Sequence, residues 1–404
     1  MQSRDFKKVI ISSKGEASIL NGHPWIYDGE IISKDEITNG DIIDVVSQKG
    51  KYLGSGFYND NSKIVVRLIS RNANDVFDSD FFRRRIRYAI DYRLTVMQDE
   101  LNAFRVIFGE ADELPGLTVD KFNDILVVQI LSLGIEVRKD MILKILYEEM
   151  LESGFNISGI YIRNDVDIRK KEGLEEYKGW YDLGFSNPSV TKTEIVENGI
   201  KYIVDFENGQ KTGFFLDQKY NRLAIRKIAK GRKVLDCCTH TGSFAMNAYL
   251  GGAKEVTAVD ISEKALDDSL KNFELNNMKI NTICGDIFDV LKNLSLSKKK
   301  EYDFIILDPP AFTKSRKTLD NALNGYQEIN YLAMKALPRG GYFATASCSH
   351  FATPELFLKA IYKASLDAGV RLKQVSFSEA AFDHPVLIGV EETRYLKFYI
   401  FQVF

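Results

Sequence analysis

Cysteine is scarce in this chain. There are four in 404 residues, two of them the neighbours Cys237 and Cys238, which supply neither a disulfide framework nor the paired spacing of a zinc site. Reduced thiols and no metal centre are the expectation. Long hydrophobic runs are missing too, and no segment approaches the roughly 20 apolar residues that span a bilayer. The opening Met1-Gln-Ser-Arg-Asp-Phe-Lys-Lys8 lacks the apolar stretch of a signal peptide, so a cytoplasmic protein with no membrane partner is expected. Neither sign of charge dominates: the formal net charge is -2, which argues against nonspecific coating of nucleic acid and leaves only local basic patches. What is present, 45% hydrophobic and 27% charged residues, suits a globular protein of two or three domains.

The rhythm of the chain divides it into residues 1–74, 75–190 and 191–404. The first segment reads as short strands and turns, marked by Gly22-His-Pro-Trp25, Asn39-Gly-Asp41 and apolar stretches at 52–57 and 63–69, and predicts a small β-barrel. From Asp80 the spacing of Phe82, Ile86, Ile90 and Leu94 turns helical, with Arg83, Arg84, Arg85 and Arg87 among them as a solvated face. A hairpin with strands at 104–108 and 117–119, a strand at 125–131, a helix at 137–151 and a strand at 159–163 complete an α+β segment. After Asn198-Gly199 strands and helices alternate, with strands at 234–236, 256–260, 282–284, 304–308 and 342–346. This predicts an α/β fold built on a parallel, doubly wound sheet. Strand-like segments at 371–377 and 395–404 suit an antiparallel hairpin at its edge.

Ligands bind where the strands of such a sheet end, and here the strand ends are acidic. Lys233-Val-Leu-Asp-Cys-Cys-Thr-His-Thr-Gly-Ser-Phe-Ala245 is an apolar strand closing on Asp236, a turn relaxed by Gly242, and a helix start near Ser243. A dinucleotide site wants three glycines for close approach of a pyrophosphate, and this turn keeps one. Asp260 ends the second strand, where a carboxylate can accept both hydroxyls of a ribose. Gly285-Asp286 ends the third, within reach of an adenine amine. Asp236 can accept from an ammonium group. The set favours S-adenosylmethionine over a nicotinamide dinucleotide, against the plainer reading that each acid caps the helix after it. Upstream, residues 207–222 are dense in polar and turn residues and read either as a lid or as a helix entry with Phe214 and Phe215 in the core.

Asp308-Pro-Pro-Ala-Phe312 ends the fourth strand and admits two chemistries. Its oxygens can hold an exocyclic amine, with Phe312 stacked on a base, so that nitrogen attacks a methyl group directly. Alternatively a thiolate adds to C6 of a pyrimidine and makes C5 nucleophilic, while an acid at N3 stabilises the adduct. Thr345-Ala-Ser-Cys-Ser349 supplies a thiol at the end of the fifth strand, so Cys348 and Asp308 can face one base. A small buried hydrophobe is the ordinary use of a free cysteine, and Cys237, Cys238 and Cys284 read as structural.

These residues resemble a family: class I methyltransferases that modify cytosine C5 in large-subunit ribosomal RNA and carry an N-terminal PUA domain. The resemblance runs nearly end to end, through Gly22-His-Pro-Trp25, Gly54-Ser-Gly-Phe-Tyr58, Asp112-Glu-Leu-Pro-Gly-Leu117, Gly209-Gln-Lys-Thr-Gly-Phe-Phe-Leu-Asp-Gln218, Asp308-Pro-Pro310, Ser347-Cys-Ser349 and Asp383-His-Pro385. It implies a PUA-like RNA-binding domain over 1–74, a central α+β domain over 75–190 and the methyltransferase domain over 191–404. It implies Cys348 as nucleophile and Asp308 as the partner acid. Gln218, Asp236, Thr241, Gly242, Asp260, Asp286 and Asp308 are the expected S-adenosylmethionine contacts, and Lys314, Arg316 and Lys317 the RNA contacts on an overhanging loop. The expected substrate is a cytosine in 23S ribosomal RNA, and a homodimer is left open. Two rivals stand beside it: methylation of an exocyclic amine of guanine or adenine, and a non-catalytic RNA-binding assembly factor on the same fold. Cys238-Thr239-His240 departs from the family's turn, where an aromatic and a small residue are common.

Overall fold

The computed structural model describes residues 5–98, 100–313 and 315–404. The chain divides into two compact units, the first made of Met1–Ile195, Val204–Leu216 and Phe382–Thr393, the second of Val196–Ile203, Asp217–Ala381 and Arg394–Phe404.

The first unit holds two sheets. Strands β1 (Lys8–Ile11), β2 (Trp25–Tyr27), β3 (Ile31–Lys34), β4 (Ile42–Ser47), β5 (Tyr52–Tyr58) and β6 (Ile64–Ser70) pair in the order β2-β6-β5-β4-β1-β3 around Val9, Ile26, Ile43, Val45 and Val66. A helix, Ser13–Leu20, interrupts them, started by Ser12, whose hydroxyl accepts from the Gly15 N–H; the turn-rich sequence gave no sign of it. The second sheet runs β11 (Lys178–Trp180), β10 (Gly159–Arg163), β9 (Ile125–Ile130), β8 (Leu117–Phe122), β7 (Ala103–Phe108). Its one parallel pair, β9 with β10, is joined by the helix Lys139–Glu152, as a parallel connection requires.

The arginines of the helix Ser79–Met97 are not simply solvated. Arg83 pairs with Glu148 and Glu149, Arg87 with Glu149 and Glu152, Arg84 with Asp75 and Arg85 with Glu113. Glu149 is almost fully buried, so its two guanidinium partners hold its carboxyl below the ordinary range against the opposing effect of desolvation. This run fastens one helix to another.

A two-stranded sheet, β12 (Lys192–Glu197) with β13 (Ile200–Asp205), is divided between the units. The second unit is built on seven strands: β14 (Lys233–Cys237), β15 (Glu255–Asp260), β16 (Asn281–Cys284), β17 (Phe304–Leu307), β18 (Tyr342–Ser347), β19 (Leu372–Ser378) and β20 (Lys397–Val403), in the order β16-β15-β14-β17-β18-β20-β19. The first five are mutually parallel, while β20 is antiparallel to both β18 and β19. The order reverses at β14, which pairs with β15 on one side and β17 on the other, and at such a switch point a crevice lies beyond the carboxyl ends of the strands. The closing hairpin forms, but the last strand lies inside the sheet and β19 takes the edge. Burial explains the choice: only Gln402 of β20 is not fully buried, whereas no residue of β19 is. Among the described residues no helix is long and apolar enough to cross a membrane.

Candidate active site

Asp236 lies one residue from the end of β14 and is wholly buried. Its Oδ2 accepts from the Thr239 hydroxyl at 2.6 Å and from the Ala245 N–H at 2.9 Å. The second bond follows from the sequence: the helix Ser243–Leu250 has Gly242 at its N-cap, glycine has no side chain to take the first-turn N–H groups, and Asp236 does so from the neighbouring strand. Gly242 itself is held by packing and backbone conformation. Its φ is 80°, and a Cβ there would stand 2.3 Å from the Phe273 ring. Cys238 and His240 also adopt left-handed backbone, at φ 61° and 52°, an arrangement that costs on the order of 1–3 kcal/mol for each non-glycine residue. The turn is held open at some expense.

Around this turn the predicted acids come together. Asp260 accepts from the His240 N–H at 2.9 Å and the Ser262 N–H at 3.0 Å, while Ser262, not Asp260, caps the following helix. Asp286 does cap its helix, accepting from the Phe288 N–H at 2.7 Å, and remains exposed with an oxygen to spare. The Thr241 carbonyl accepts from Asn272 at 3.1 Å. Burial pushes the Cys238 thiol far up, and the charges of Asp260, Asp308, Asp236 and Asp286 push it further. One turn thus feels four carboxylates. Asp236 Oδ1 is buried with no hydrogen-bond partner. A donor-starved carboxylate oxygen amid negative potential fits a cationic ligand with ammonium and hydroxyl donors, as S-adenosylmethionine is.

Asp308 follows β17 and begins the loop, where a strand through it was expected. Its Oδ1 accepts from Gln218 Nε2 at 2.9 Å, and Gln218 is oriented by Asn221, which donates to its Oε1 at 2.7 Å. Desolvation in the cleft, with the charges of Asp217 and Asp236, raises the Asp308 carboxyl to about 7, against the pull of Arg222 and of the Gln218 bond. Burial likewise raises Asp236 to about 7. An unfolded carboxyl titrates near about 3.9, so between about pH 4 and 7 the folded state holds more protons than the unfolded one and stability declines as pH rises. Above that window the contribution is flat. The ligand-free protein should therefore melt at lower temperature at about pH 7.5 than at about pH 5, and Asp236→Asn should shrink the difference. Calorimetry of both proteins at the two pH values is the check, and an identical slope would deny Asp236 its proton.

Cys348 lies just beyond β18, partly buried, and the residues on either side of it are tied down. Ser347 donates to the Tyr326 hydroxyl at 3.0 Å, and the Ser349 hydroxyl shares a bond with the same group at 2.8 Å. Phe312 stacks on Tyr326 with centroids 4.5 Å apart, so one face of the ring proposed for base stacking is already occupied. Lys397 is fully buried and donates to the carbonyls of Ser349 at 2.7 Å and Tyr395 at 2.8 Å. The sequence gives no hint of this, because a lysine opening a strand ordinarily reads as a guard on an exposed edge.

Arg316 and Lys317 are exposed on a loop braced by Thr313, whose hydroxyl bonds to the Ser315 carbonyl and to the Thr318 hydroxyl, both at 2.7 Å. Lys314 lies outside the described residues. Asp112–Leu117, Asp383–Pro385 and the Gly209–Leu216 part of the upstream motif belong to the first unit, while Asp217 and Gln218 belong to the second. Asp112 pairs with Arg93, and Asp383 accepts from the Arg105 N–H at 2.8 Å and bonds to its neighbour His384 at 2.9 Å. Thr212 donates to Asp120 at 2.6 Å, with Phe214 buried and Phe215 only partly so. Among the described residues no group of three or more His, Cys, Asp or Glu side chains is placed to hold a metal ion.

Residues 9–71 match the family model of a PUA-like domain, and residues 182–369 that of an S-adenosylmethionine-dependent methyltransferase. The ribosomal RNA large subunit methyltransferase I of Klebsiella pneumoniae (strain 342) is 38% identical over 397 residues, covering 97% of each chain. That of Yersinia pestis bv. Antiqua (strain Angola) is 37% identical over 395 residues, 96% of this chain and 98% of its own. A solved structure from Streptococcus mutans matches with a TM-score of 0.81 over 98% of this chain and 99% of its own, and a second, complexed with S-adenosylhomocysteine, with 0.82 over the same shares. At 23% and 22% identity these two establish the fold alone. The cofactor is S-adenosylmethionine, and the chain belongs to the ribosomal RNA large subunit methyltransferase I family.

Proposed function

We propose that this protein methylates C5 of a cytosine in 23S ribosomal RNA, with Cys348 as nucleophile and Asp308 as the acid at N3. The observation that supports the reading is that a thiol stands just beyond β18 and a carboxyl, raised to about 7, just beyond the adjacent parallel strand β17. The amine route needs no thiol, and Phe312 has one face engaged on Tyr326.

In this mechanism the Cys348 thiolate forms a bond to C6 of the cytosine, and the electron pair of the C5–C6 double bond moves into the ring as N3 takes a proton from Asp308. Gln218 holds Oδ1 of Asp308, so the proton is carried on Oδ2. When bound, S-adenosylmethionine would supply the electrophilic methyl group for C5, with S-adenosylhomocysteine as the leaving group. Loss of the C5 proton to a base, return of the N3 proton to Asp308 and expulsion of Cys348 restore the aromatic ring and the free thiol. Asp236 would hold the cofactor's ammonium, Asp260 its ribose hydroxyls and Asp286 its adenine amine, with Gln218 and the Thr241–Gly242 turn lining the same cleft.

Residues 1–74 would bind RNA, 75–190 form a central domain and 191–404 perform the transfer, with Lys314, Arg316 and Lys317 contacting phosphates. The test is mass spectrometry of nucleosides from unmodified large-subunit ribosomal RNA after incubation with the protein and S-adenosylmethionine. New 5-methylcytidine is expected. A purine methylated on its exocyclic amine would overturn the base assignment, and cofactor binding without any methylated nucleoside would favour an assembly factor.

A further inference from the structure

Among the described residues the buried ammonium of Lys397 has no carboxylate partner. Its two hydrogen-bond acceptors are neutral carbonyls, those of Ser349 and Tyr395, and no ion pair includes it among the described residues. A buried charge left in that state is costly, and burial lowers the lysine to about 8. Two negative groups act on it from its surroundings. The first and stronger is Cys348, the second Glu379, and Glu379 is engaged with Arg394 at 2.9 Å. Tyr326, packed on the same loop, also feels the charge of Cys348.

The placement is set by the sheet. Lys397 is paired with Ser347 across β18 and β20, and its bond to the Ser349 carbonyl spans the residue between them, Cys348. An ammonium has three N–H donors, two of which are spent on carbonyls.

We propose that Lys397 is a positioning residue that holds Cys348 as a thiolate, the third N–H of its ammonium being left for the sulfur. The inference rests on the reading of Cys348 as nucleophile and gives that reading what it lacks, since an unperturbed thiol with pKa about 8.5 is only a few per cent ionised at neutral pH.

The test is alkylation of the full-length protein by iodoacetamide across a pH series, with the Cys348 peptide quantified by mass spectrometry apart from those of Cys237, Cys238 and Cys284. In the wild type the reaction should reach half its maximum well below about pH 8.5. Lys397→Met should raise that midpoint by about one unit or more, so that alkylation near pH 7 slows about tenfold, and Lys397→Arg, which keeps the charge, should restore most of the rate. A wild-type midpoint at or above about 8.5 overturns the proposal without recourse to any variant, as does an unchanged midpoint in folded Lys397→Met. Methyl transfer retained by Cys348→Ala would remove the nucleophile instead, and the alkylation profiles would still decide whether lysine and thiol form a pair.

Discussion

Replacing Cys348 with alanine should reduce methyl transfer by at least about a thousandfold, the scale seen when an enzyme loses its covalent nucleophile, and leave affinity for S-adenosylmethionine unchanged. C5 of a cytosine is a poor nucleophile until a group adds at C6, so in the proposed mechanism loss of the thiol removes the activated acceptor. The proposed cofactor contacts do not depend on the sulfur: Asp236, Asp260 and Asp286 are fixed by backbone N–H groups and the Thr239 hydroxyl. The loop itself is held by Tyr326 and Lys397 through Ser347 and Ser349, so alanine at 348 should fold. Equal incorporation of labelled methyl groups by variant and wild type would assign the chemistry to an amine and leave the thiol as packing. Cys348→Ser should also be inactive, because a hydroxyl in the same place is not ionised at neutral pH.

Much of the second unit was legible because its signals are local. An apolar stretch ending in an acid, followed by a glycine turn, marks β14 and its crevice, and an acid closes or follows the next two strands as well, at Asp260 and Asp286. What escaped depends on contacts between segments distant in sequence. The spacing of 371–377 and 395–404 gives a hairpin, but which strand faces inward follows from burial on both faces of β20; its near-continuous run Lys-Phe-Tyr-Ile-Phe-Gln-Val is the sign of an interior strand. Lys397 at its start points the other way, and only the Ser349 and Tyr395 carbonyls explain a lysine there. The arginine run at 83–87 was legible as a helical face and not as an ion-paired one, because the carboxylate partners of Arg83 and Arg87 lie on the helix Lys139–Glu152 and those of Arg84 and Arg85 are Asp75 and Glu113, outside the helix that carries the run. The helix Ser13–Leu20 is short and buries little beyond Gly15 and Ile19, so it leaves no apolar period to read. Asp308 was legible as an acid at a strand end, whereas its elevated proton affinity depends first on its burial and then on Asp217 and Asp236 drawn in around it.

That proton makes the second large effect. Asp308→Asn should lower turnover by about a hundredfold, within the usual range for a lost general acid, with the cofactor still bound. Asparagine is nearly isosteric and can offer an N–H to N3 of the base while its oxygen still accepts from Gln218, so the hydrogen-bond geometry survives. It has no proton to release at the moment the electron pair reaches the ring. The pH profile separates these contributions. With Asp308 titrating at about 7, the protonated fraction falls as pH rises through that value, and kcat/KM for RNA should decline on its alkaline side even as the thiolate fraction grows. In Asp308→Asn the alkaline decline should vanish, leaving a small rate that only rises with pH as Cys348 ionises. Full activity in the variant would sink the role of Asp308 as the acid, and an alkaline limb that persists at low rate would move the acid to another group, with Asp308 retained as a hydrogen-bonding partner of the base.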